Sequence, residues 1–490
     1  MKKITPANLL NNPYFILLFS LVVYLINFSH PFMSNDEGIW SYIGRVWNRN
    51  NILPYTGAIE NKTPGIFELY FLSDMLFGTN VFFVRTLGLL SILFSSLLLY
   101  HIGAKLQDKL CGILSMLLFN LTMNWDLLDG SYFAHTENFM ILFILLSLFF
   151  LLKINNKTHQ IFWIFLSGFS IGFAMAFKQI AVTSAAGFVL FGMLYYTNKF
   201  KIKQLLVALS VFTGGLLLAS LISVVPILIS GVSFSSYFEG AWKILLNSGS
   251  SNTSLRGRYV HFMEIWTESR LTVFYPLFLL MLFKKKSGES IYIVGLLIWM
   301  GLEFLATNSS GNYFGHQLKQ FIAPLVLIIS ITISKMINNN NNSSMIVKHS
   351  FFAIGCCILL TFPYKETIQS IYLIATNKKL NYYHSETGVF LKNNTQQNDY
   401  VFYIGTKYNQ LLSTSQRLSA SKYINSYFVT SEDARNCVLN DLINKTPGFI
   451  IAENSFDRKL VYGDKIDNFI LTHYVLFQTI DDITLFKKVN

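Results

Sequence analysis

The chain has 490 residues, of which 52% are hydrophobic, 16% aromatic and only 13% charged. This composition is too apolar for a soluble protein of this length and indicates an integral membrane protein. The net charge of +12 comes from lysines spread over separate short segments, with no aromatic-interleaved basic face, which argues against a nucleic-acid-binding protein.

Apolar runs recur through the first three quarters of the chain, and many approach the ~20 residues that cross a bilayer. The first run follows Lys2 and Lys3 and has no small-residue cleavage pattern at its end, so we expect a retained span and not a signal peptide. In chain order we predict about eleven transmembrane helices, at 13–30, 81–103, 110–124, 136–152, 161–177, 180–197, 205–229, 271–283, 291–306, 318–336 and 349–365.

The distribution of lysines orients these spans. With the N-terminus inside, the inner connections hold fourteen lysines against Asp108 and Glu289, whereas the outer connections at 124–135 and 307–317 contain no lysine or arginine. This asymmetry follows the positive-inside rule. We therefore predict a multi-pass protein of a cytoplasmic membrane, and the Asn- and Lys-rich composition hints at a bacterial source.

Two domains follow from this topology: a transmembrane domain at 1–365, whose first outer loop is 31–80, and a soluble C-terminal domain at 366–490 on the outer face. In the latter, "DYVFYIG" and "PGFIIAEN" predict short buried strands, and "SEDARNCVLNDLIN" has apolar positions at helical spacing. We expect a small α/β domain.

The first outer loop begins with an acidic pair, Asp36 and Glu37, directly after the first span. Taken alone, such a pair is more often a solvated boundary than a site. The stretch after it, "EGIWSYIGRVWNRN", has its apolar residues at helical spacing and predicts an interfacial helix that holds the loop against lipid. A second amphipathic run begins at Ile66 and ends at Phe77.

Lys62 precedes Thr63 and Pro64 in the same loop, so we expect it in an extended turn that enters a helix. An ammonium group there is suited to a phosphate. The alternative is a lysine that snorkels to lipid headgroups.

The later outer connections contain further candidates. Glu137 lies at the start of the fourth span, shortly after Asp126 and Asp129. Because apolar sequence follows it directly, we expect its side chain to face the protein interior or a water-filled cavity and not lipid. Lys178 interrupts an apolar stretch at the outer end of the fifth span. For these residues a polar loop or an interfacial lysine is the alternative.

The loop at 231–270 contains "NSGSSNTSLRGRYVHF", in which Arg256 and Arg258 follow a Gly- and Ser-rich segment. Such a segment predicts either a mobile lid or an ordinary disordered loop. His316 and Gln320 are four residues apart ahead of the tenth span and share a helical face if the helix begins early. Glu303, in the ninth span, either pairs with Lys319 or lines a cavity.

The order of these features resembles the bacterial members of the glycosyltransferase C superfamily, which are related to the protein O-mannosyltransferases and the lipid A aminoarabinose transferases. The matching segments are "NDEGIWSYIGRVW", "PYTGAIENKTPGIF", "AHTENFM", "FKQIA", "NYFGHQLKQFIAPL" and "STSQRLSASKYI". The resemblance covers nearly the whole chain in architecture, although each motif is short and degenerate.

The resemblance implies roles for single residues. Asp36, with Glu37 adjacent, falls at the position of the acidic residue that acts as catalytic base or orients the acceptor. Lys62 falls at that of the lysine-proline motif that binds the donor phosphate, here with Thr63 where many relatives have a proline. Glu137 matches a second acidic position that in some relatives helps hold a metal ion. No tight DxD is present, so the need for a divalent metal stays open.

The resemblance thus implies inverting transfer of a sugar from a polyprenyl-phosphate donor to a lipid, glycan or protein acceptor of the cell envelope. Catalytic roles fall to Asp36, Glu37 and Glu137, and substrate binding to Lys62, Lys178, Arg256, Arg258, His316 and Gln320. The alternatives are a flippase or other transporter for lipid-linked sugars and a non-catalytic assembly subunit. A transporter concentrates ionisable residues near the bilayer midplane, whereas here they gather at outer span ends. The sugar, the acceptor and the oligomeric state are not readable from the sequence.

Overall fold

The protein is described by a computed structural model, which covers residues 12–28, 33–125, 128, 132–154, 159–196, 202–244, 254–268, 290–309, 314–339, 362–376, 386–480 and 482–489. Within these residues the chain is mostly helical, with one small sheet near its C-terminus. Two compact units are formed. The first takes Met1–His30, Thr86–Ser223 and Ser248–Lys378, and the second takes Pro31–Arg85, Val224–Asn247 and Lys379–Asn490.

The helices before the C-terminal sheet follow the apolar runs of the sequence. They are α1 Pro13–Phe28, α2 Asn35–Asn50, α3 Pro64–Phe77, α4 Phe82–Leu106, α5 Lys109–Thr122, α6 Thr136–Leu152, α7 Gln160–Phe177, α8 Val182–Tyr196, α9 Ile202–Ile229, α10 Phe234–Phe238, α11 Leu255–Glu268, α12 Ser290–Ser309, α13 Lys319–Asn339 and α14 Tyr364–Ala375. Short 3₁₀ turns at Gln179–Ala181 and Gly315–Leu318 precede α8 and α13, and a π-helical turn at Glu239–Lys243 follows α10.

Nine of the predicted spans coincide with described helices. Four of these helices are long and apolar enough to cross a membrane, and five shorter apolar helices accompany them. The predicted span at 271–283, and all but the last four residues of the one at 349–365, lie outside the described residues. A polytopic helical protein is confirmed, and the total of eleven spans stays a prediction.

The first unit has a central helix and a peripheral one. In the described residues, α13 is almost completely buried and packs against α5, α6 and α12, whereas α9 leaves most of its side chains exposed. Glycines bring α7 and α9 together, because a Cβ on Gly168 would overlap the backbone of Phe212 and one on Gly172 would overlap the backbone of Leu216. Small residues four apart are a common means of close helix packing in membranes.

The second unit contains α2 and α3 from the first outer loop and the C-terminal sheet. Ser34 and Glu37 form a capping box at the start of α2, and Asn51 ends the helix with φ +53°. Pro64 begins α3, as expected for the first helical position.

The C-terminal region is an α/β fold, as predicted. Its elements are α15 Glu386–Asn394, β1 Tyr400–Ile404, α16 Gln410–Ser415, β2 Leu418–Ser419, α17 Glu432–Lys445, β3 Phe449–Glu453, α18 Arg458–His473, β4 Tyr474–Ile480 and β5 Ile483–Lys488. The strand order is β2-β1-β3-β5-β4, with β1 parallel to β2 and β3, and β5 antiparallel to β3 and β4. The two strands and the helix predicted in this region correspond to β1, β3 and α17.

The stretch after the acidic pair forms α2, and protein covers most of it, whereas its position in the membrane interface stays a prediction. Its residues from Glu37 to Trp47 are buried, because α3 packs on one side and α16 on the other. Gly44 allows this approach, since a Cβ there would clash with the backbone of Tyr70. The C-terminal half of α3 exposes apolar side chains instead: Leu72, Met75, Leu76 and Phe77.

Candidate functional site

The two acids at the start of α2 have different surroundings. The Glu37 side chain is fully buried and accepts two hydrogen bonds from Arg85, at 2.8 Å from Nε and 2.7 Å from Nη2. Its Oε2 also accepts from the backbone N–H of Ser34 at 3.1 Å. Glu37 therefore has the contacts of a structural ion pair that anchors the first turn of α2.

Asp36 is only partly buried. Within the described residues, its carboxylate has neither a hydrogen bond nor an ion pair. Glu37 is thus bonded to Arg85, whereas the oxygens of the adjacent Asp36 remain available to a substrate. The two acids differ in this way only because of the three-dimensional packing around them.

Lys62 lies in the extended turn before α3, as predicted, because Thr63 has φ −77° and ψ 162° ahead of Pro64. Its ammonium donates to Asn61 Oδ1 at 3.0 Å and to Glu60 Oε1 at 3.4 Å. The carbonyl of Lys62 accepts a hydrogen bond from Tyr55 Oη at 2.8 Å, which holds the backbone of the turn.

The Lys62 ammonium also lies 5.9 Å from the centre of the Trp40 ring. Trp40 belongs to α2, one turn after Asp36, so this cation–π contact brings the lysine turn against the helix that carries the acid. The Lys62 side chain keeps 16% of its surface exposed, which leaves its charge accessible.

Glu60 is an acid that the sequence analysis did not single out. Burial raises the pKa of its carboxyl, the Lys62 ammonium opposes that shift, and the negative charge of Asp36 adds to it. Asp36 and Lys62 are thus both close enough to Glu60 to affect the pKa of its carboxyl group. The sequence offers one signal for a role of Glu60, namely that it lies two residues before Lys62 in an extended turn.

A second cluster lies in the first unit and joins three residues that the sequence analysis treated separately. Lys178 Nζ donates to Glu137 Oε1, and His316 Nε2 lies 4.0 Å from the same oxygen. The ring of His135 packs edge-on against His316 at 4.6 Å between centroids. Glu137 and these basic side chains are mostly buried, with 14% of Lys178 and 12% of His316 exposed.

The chain reaches this arrangement because α7 ends at Phe177. Lys178 has an extended backbone, with φ −157° and ψ 127°, between α7 and the 3₁₀ turn that leads into α8. Glu137 is the second residue of α6 and follows Thr136, whose Oγ1 donates to Glu137 Oε2 at 3.1 Å.

Gln320 and His316 separate, because His316 lies in the 3₁₀ turn and Gln320 lies in α13. The Gln320 amide donates to Thr307 Oγ1 at 2.5 Å and to the Glu303 carbonyl at 3.3 Å. These contacts join α13 to α12.

Of the two alternatives for Glu303, the structure does not show the pairing with Lys319 among the described residues. Glu303 accepts hydrogen bonds from Ser184 and from Trp299 Nε1, the latter at 2.9 Å. The buried Lys319 donates instead to Asn138 Oδ1 at 3.0 Å.

The remaining predicted residues are less well placed for a site. Arg256 is exposed and Arg258 half-buried, both in the first turn of α11. The Gly- and Ser-rich segment before them, as far as residue 253, and both Asp126 and Asp129 lie outside the described residues. Among the residues that the structure does describe, no group of three or more His, Cys, Asp or Glu side chains is arranged to hold a metal ion.

The C-terminal fold contacts α2 directly, within the second unit. A Cβ on Gly38 would clash with the backbone of Gln410, so α2 and α16 approach as closely as a glycine permits. Arg45 donates to the carbonyls of Leu412 and Arg417, at 3.2 and 2.8 Å.

Two further hydrogen bonds continue this contact. Ser41 Oγ lies 2.9 Å from Ser413 Oγ, and the backbone N–H of Ser419 donates to Tyr42 Oη at 2.8 Å. The helix that carries Asp36 in its first turn is thus held along its length by residues some 370 positions later in the chain.

Comparison with known proteins identifies a family for part of the chain. Residues 61–229 match the family model described as dolichyl-phosphate-mannose-protein mannosyltransferase. No curated protein sequence matches the chain.

Solved structures show the same fold over nearly the whole chain. ArnT from Cupriavidus metallidurans, bound to undecaprenyl phosphate, is 11% identical with a TM-score of 0.61, over 97% of this chain and 98% of that one. The Archaeoglobus fulgidus oligosaccharyltransferase AglB, in complex with an inhibitory peptide and a dolichol-phosphate, is 11% identical with a TM-score of 0.54, over 97% of this chain and 74% of that one. At such identities the likeness shows the fold alone.

Proposed function

We propose that this chain, a member of the glycosyltransferase C superfamily, transfers a sugar from a polyprenyl-phosphate donor to an acceptor of the cell envelope. The observation that carries the proposal is that one loop presents both the partly exposed carboxylate of Asp36 and the partly exposed ammonium of Lys62. Support also comes from ArnT and AglB, which have this fold and were solved with undecaprenyl phosphate and a dolichol-phosphate.

The proposed reaction moves one proton and exchanges one bond. Asp36 accepts the proton of the acceptor oxygen while that oxygen forms a bond to the anomeric carbon of the sugar. The bond from the anomeric carbon to the phosphate oxygen breaks, and the negative charge that grows on the departing phosphate is stabilised by Lys62. In-line displacement inverts the anomeric centre.

Glu60 holds Lys62 in place in this scheme. Its buried carboxyl lies 3.4 Å from the Lys62 ammonium, which orients the ammonium for the phosphate. Burial raises the pKa of Glu60, and the Lys62 ammonium opposes that shift. Glu37 positions the first turn of α2 through Arg85 and does not contact substrate.

The Glu137 cluster has the composition of a second anion-binding element. Lys178 and His316 bind an anionic substrate group in this proposal, and Glu137 holds the lysine in place. Arg256 and Arg258 supply further positive charge from α11, and Gln320 acts only through its contact with Thr307. The described residues do not provide a metal site, and no step of the scheme uses a metal ion.

We assign the catalytic loop and residues 366–490 to the outer face of a bacterial cytoplasmic membrane. The positive-inside pattern supports this orientation. The C-terminal domain then has a mechanical role, because α16 and the segment after it hold α2 and so set the position of Asp36.

The test is turnover of a polyprenyl-phosphate-linked sugar by the purified protein in lipid nanodiscs, measured as release of polyprenyl phosphate. Asp36→Asn removes the base, and we expect a loss of about 10²–10⁴-fold in kcat. Lys62→Met removes the cation, and we expect a loss of about 10²–10³-fold.

The matched control is Lys243→Met, which removes a lysine from an exposed ion pair with Glu239 in the same unit, and we expect it to keep wild-type turnover. Wild-type turnover by Asp36→Asn would remove Asp36 from the mechanism. Movement of the lipid-linked sugar across the membrane without release of polyprenyl phosphate would favour a flippase.

A further inference from the structure

A half-open apolar crevice lies within the first unit, between the end of α6, the start of α7, the second half of α8 and the start of α9. Its wall consists of apolar side chains and one glycine, among them Leu151, Ile154, Ile164, Phe188, Gly192 and Phe212. An open groove with such a wall suits an apolar ligand such as a hydrocarbon chain.

The crevice is distinct from the candidate catalytic residues of the same unit. Glu137 lies in the first turn of α6, whereas Leu151 lies fourteen residues later on that helix, a distance of about 21 Å at 1.5 Å per residue. By the predicted topology, that end of α6 faces the inner leaflet. The crevice therefore cannot be an extension of the Glu137 cluster.

A cation lies at the same end. Lys153 follows α6 directly, between two residues of the crevice wall, Leu151 and Ile154. Its ammonium lies 4.6 Å from the ring centre of Phe149 and 5.0 Å from that of Trp163. Within the described residues it has no carboxylate partner. A lysine between aromatic rings is typical of the membrane–water interface.

Gly192 leaves the crevice open. A Cβ built on Gly192 meets no atom within 4 Å, whereas one on Gly187, a turn and a half earlier on α8, would press against Trp299. Gly187 is thus a packing glycine and Gly192 is not. Gly192 lies on the crevice wall, and its lack of a side chain leaves the space beside it within the crevice open.

We propose that this crevice binds one acyl chain of an anionic glycerophospholipid from the inner leaflet, with the phosphate of its headgroup on Lys153. The apolar wall matches a hydrocarbon chain, and the unpaired ammonium at its end matches a negative headgroup. The site is a lipid-binding site separate from sugar transfer, and its occupant stabilises the seam between α6, α7, α8 and α9.

The experiment is native mass spectrometry of the delipidated full-length protein with equimolar palmitoyl-oleoyl phosphatidylglycerol and phosphatidylcholine. For the wild type we expect one retained phosphatidylglycerol in preference to phosphatidylcholine. Lys153→Gln lowers that preference by about fivefold, the effect of one lysine near an anionic surface, and keeps chain binding.

Gly192→Leu fills the crevice and lowers the retention of both lipids. Its matched control is Gly301→Leu, since a Cβ on Gly301 also meets nothing within 4 Å but lies on an exposed face of α12; this variant retains lipid as the wild type does. Equal retention of the two lipids by the wild type, or full retention by Gly192→Leu, would overturn the proposal. Displacement of the lipid by undecaprenyl phosphate would reassign the crevice to an isoprenoid chain. None of these outcomes depends on sugar transfer.

Discussion

Replacement of Glu37 by glutamine separates a structural acid from a catalytic one. The substitution keeps the size of the side chain and removes the negative charge that the buried guanidinium of Arg85 contacts. Both side chains of the pair have 0% exposure, and they are joined by two hydrogen bonds of 2.8 and 2.7 Å. Breaking a buried pair of this kind costs about 3–5 kcal/mol.

For a cooperative unit of 150–250 residues, that loss corresponds to a fall in Tm of roughly 6–20 °C. Thermal unfolding of the purified protein, followed by tryptophan fluorescence, measures it, because the buried Trp40 lies on the same helix. Asp36→Asn, one residue earlier, should leave Tm unchanged and abolish turnover.

Two further variants test the reasoning. Glu239→Gln breaks an exposed pair with Lys243 and should cost less than about 1 kcal/mol. Combining Glu37→Met with Arg85→Met removes both charges and should recover part of the lost stability. If Glu37→Gln unfolds within about 1 kcal/mol of the wild type while turnover disappears, Glu37 is a catalytic acid and the structural assignment is refuted.

Three other predictions concern the scaffold. Burial raises the pKa of Glu68 in α3 from 4.5 to about 7, so the folded state binds its proton more tightly and the free energy of unfolding falls by about 3 kcal/mol between pH 4.5 and 7. Glu68→Gln should therefore raise Tm at pH 8 and leave it unchanged at pH 4. Equal shifts of Tm at both pH values would contradict this reasoning. Arg45→Met removes the donor to the carbonyls of Leu412 and Arg417 and should lower the free energy of unfolding by about 2–3 kcal/mol. We expect faster proteolysis of the C-terminal domain. Unchanged cleavage would mean that the contact with α2 is dispensable. Gly168→Leu cannot fit against Phe212 and should lower the yield of folded protein, and a normally folded variant would show that the close α7–α9 contact is not required.

Many features of the fold were predictable from the sequence because they depend on local pattern. The apolar runs predicted nine helices of the described structure, and the strand and helix segments after residue 366 predicted β1, β3 and α17. Pro64 and the residues before it predicted the extended turn at Lys62. Each of these signals acts over a few residues and is therefore visible in a linear chain.

The candidate site was predictable by residue type and not by partner. Asp36, Lys62, Glu137, Lys178 and His316 were all singled out as ionisable residues at outer span ends. Their pairing was not predicted, since the Lys178–Glu137 contact spans 41 positions and depends on how two helices pack. For the same reason the sequence left two alternatives open for Glu303, pairing with Lys319 or lining a cavity.

The sequence by itself predicted a polytopic helical protein with basic inner connections and with its candidate site residues at the outer ends of spans, because hydropathy and charge are properties of each segment. Only the tertiary structure decided which of two adjacent acids is open to substrate, since Arg85 lies 48 positions from Glu37 and reaches it across packed helices. It also decided that the C-terminal domain holds α2, through contacts about 370 positions apart. Burial and ion pairing are set by neighbours in space, and no local pattern records them.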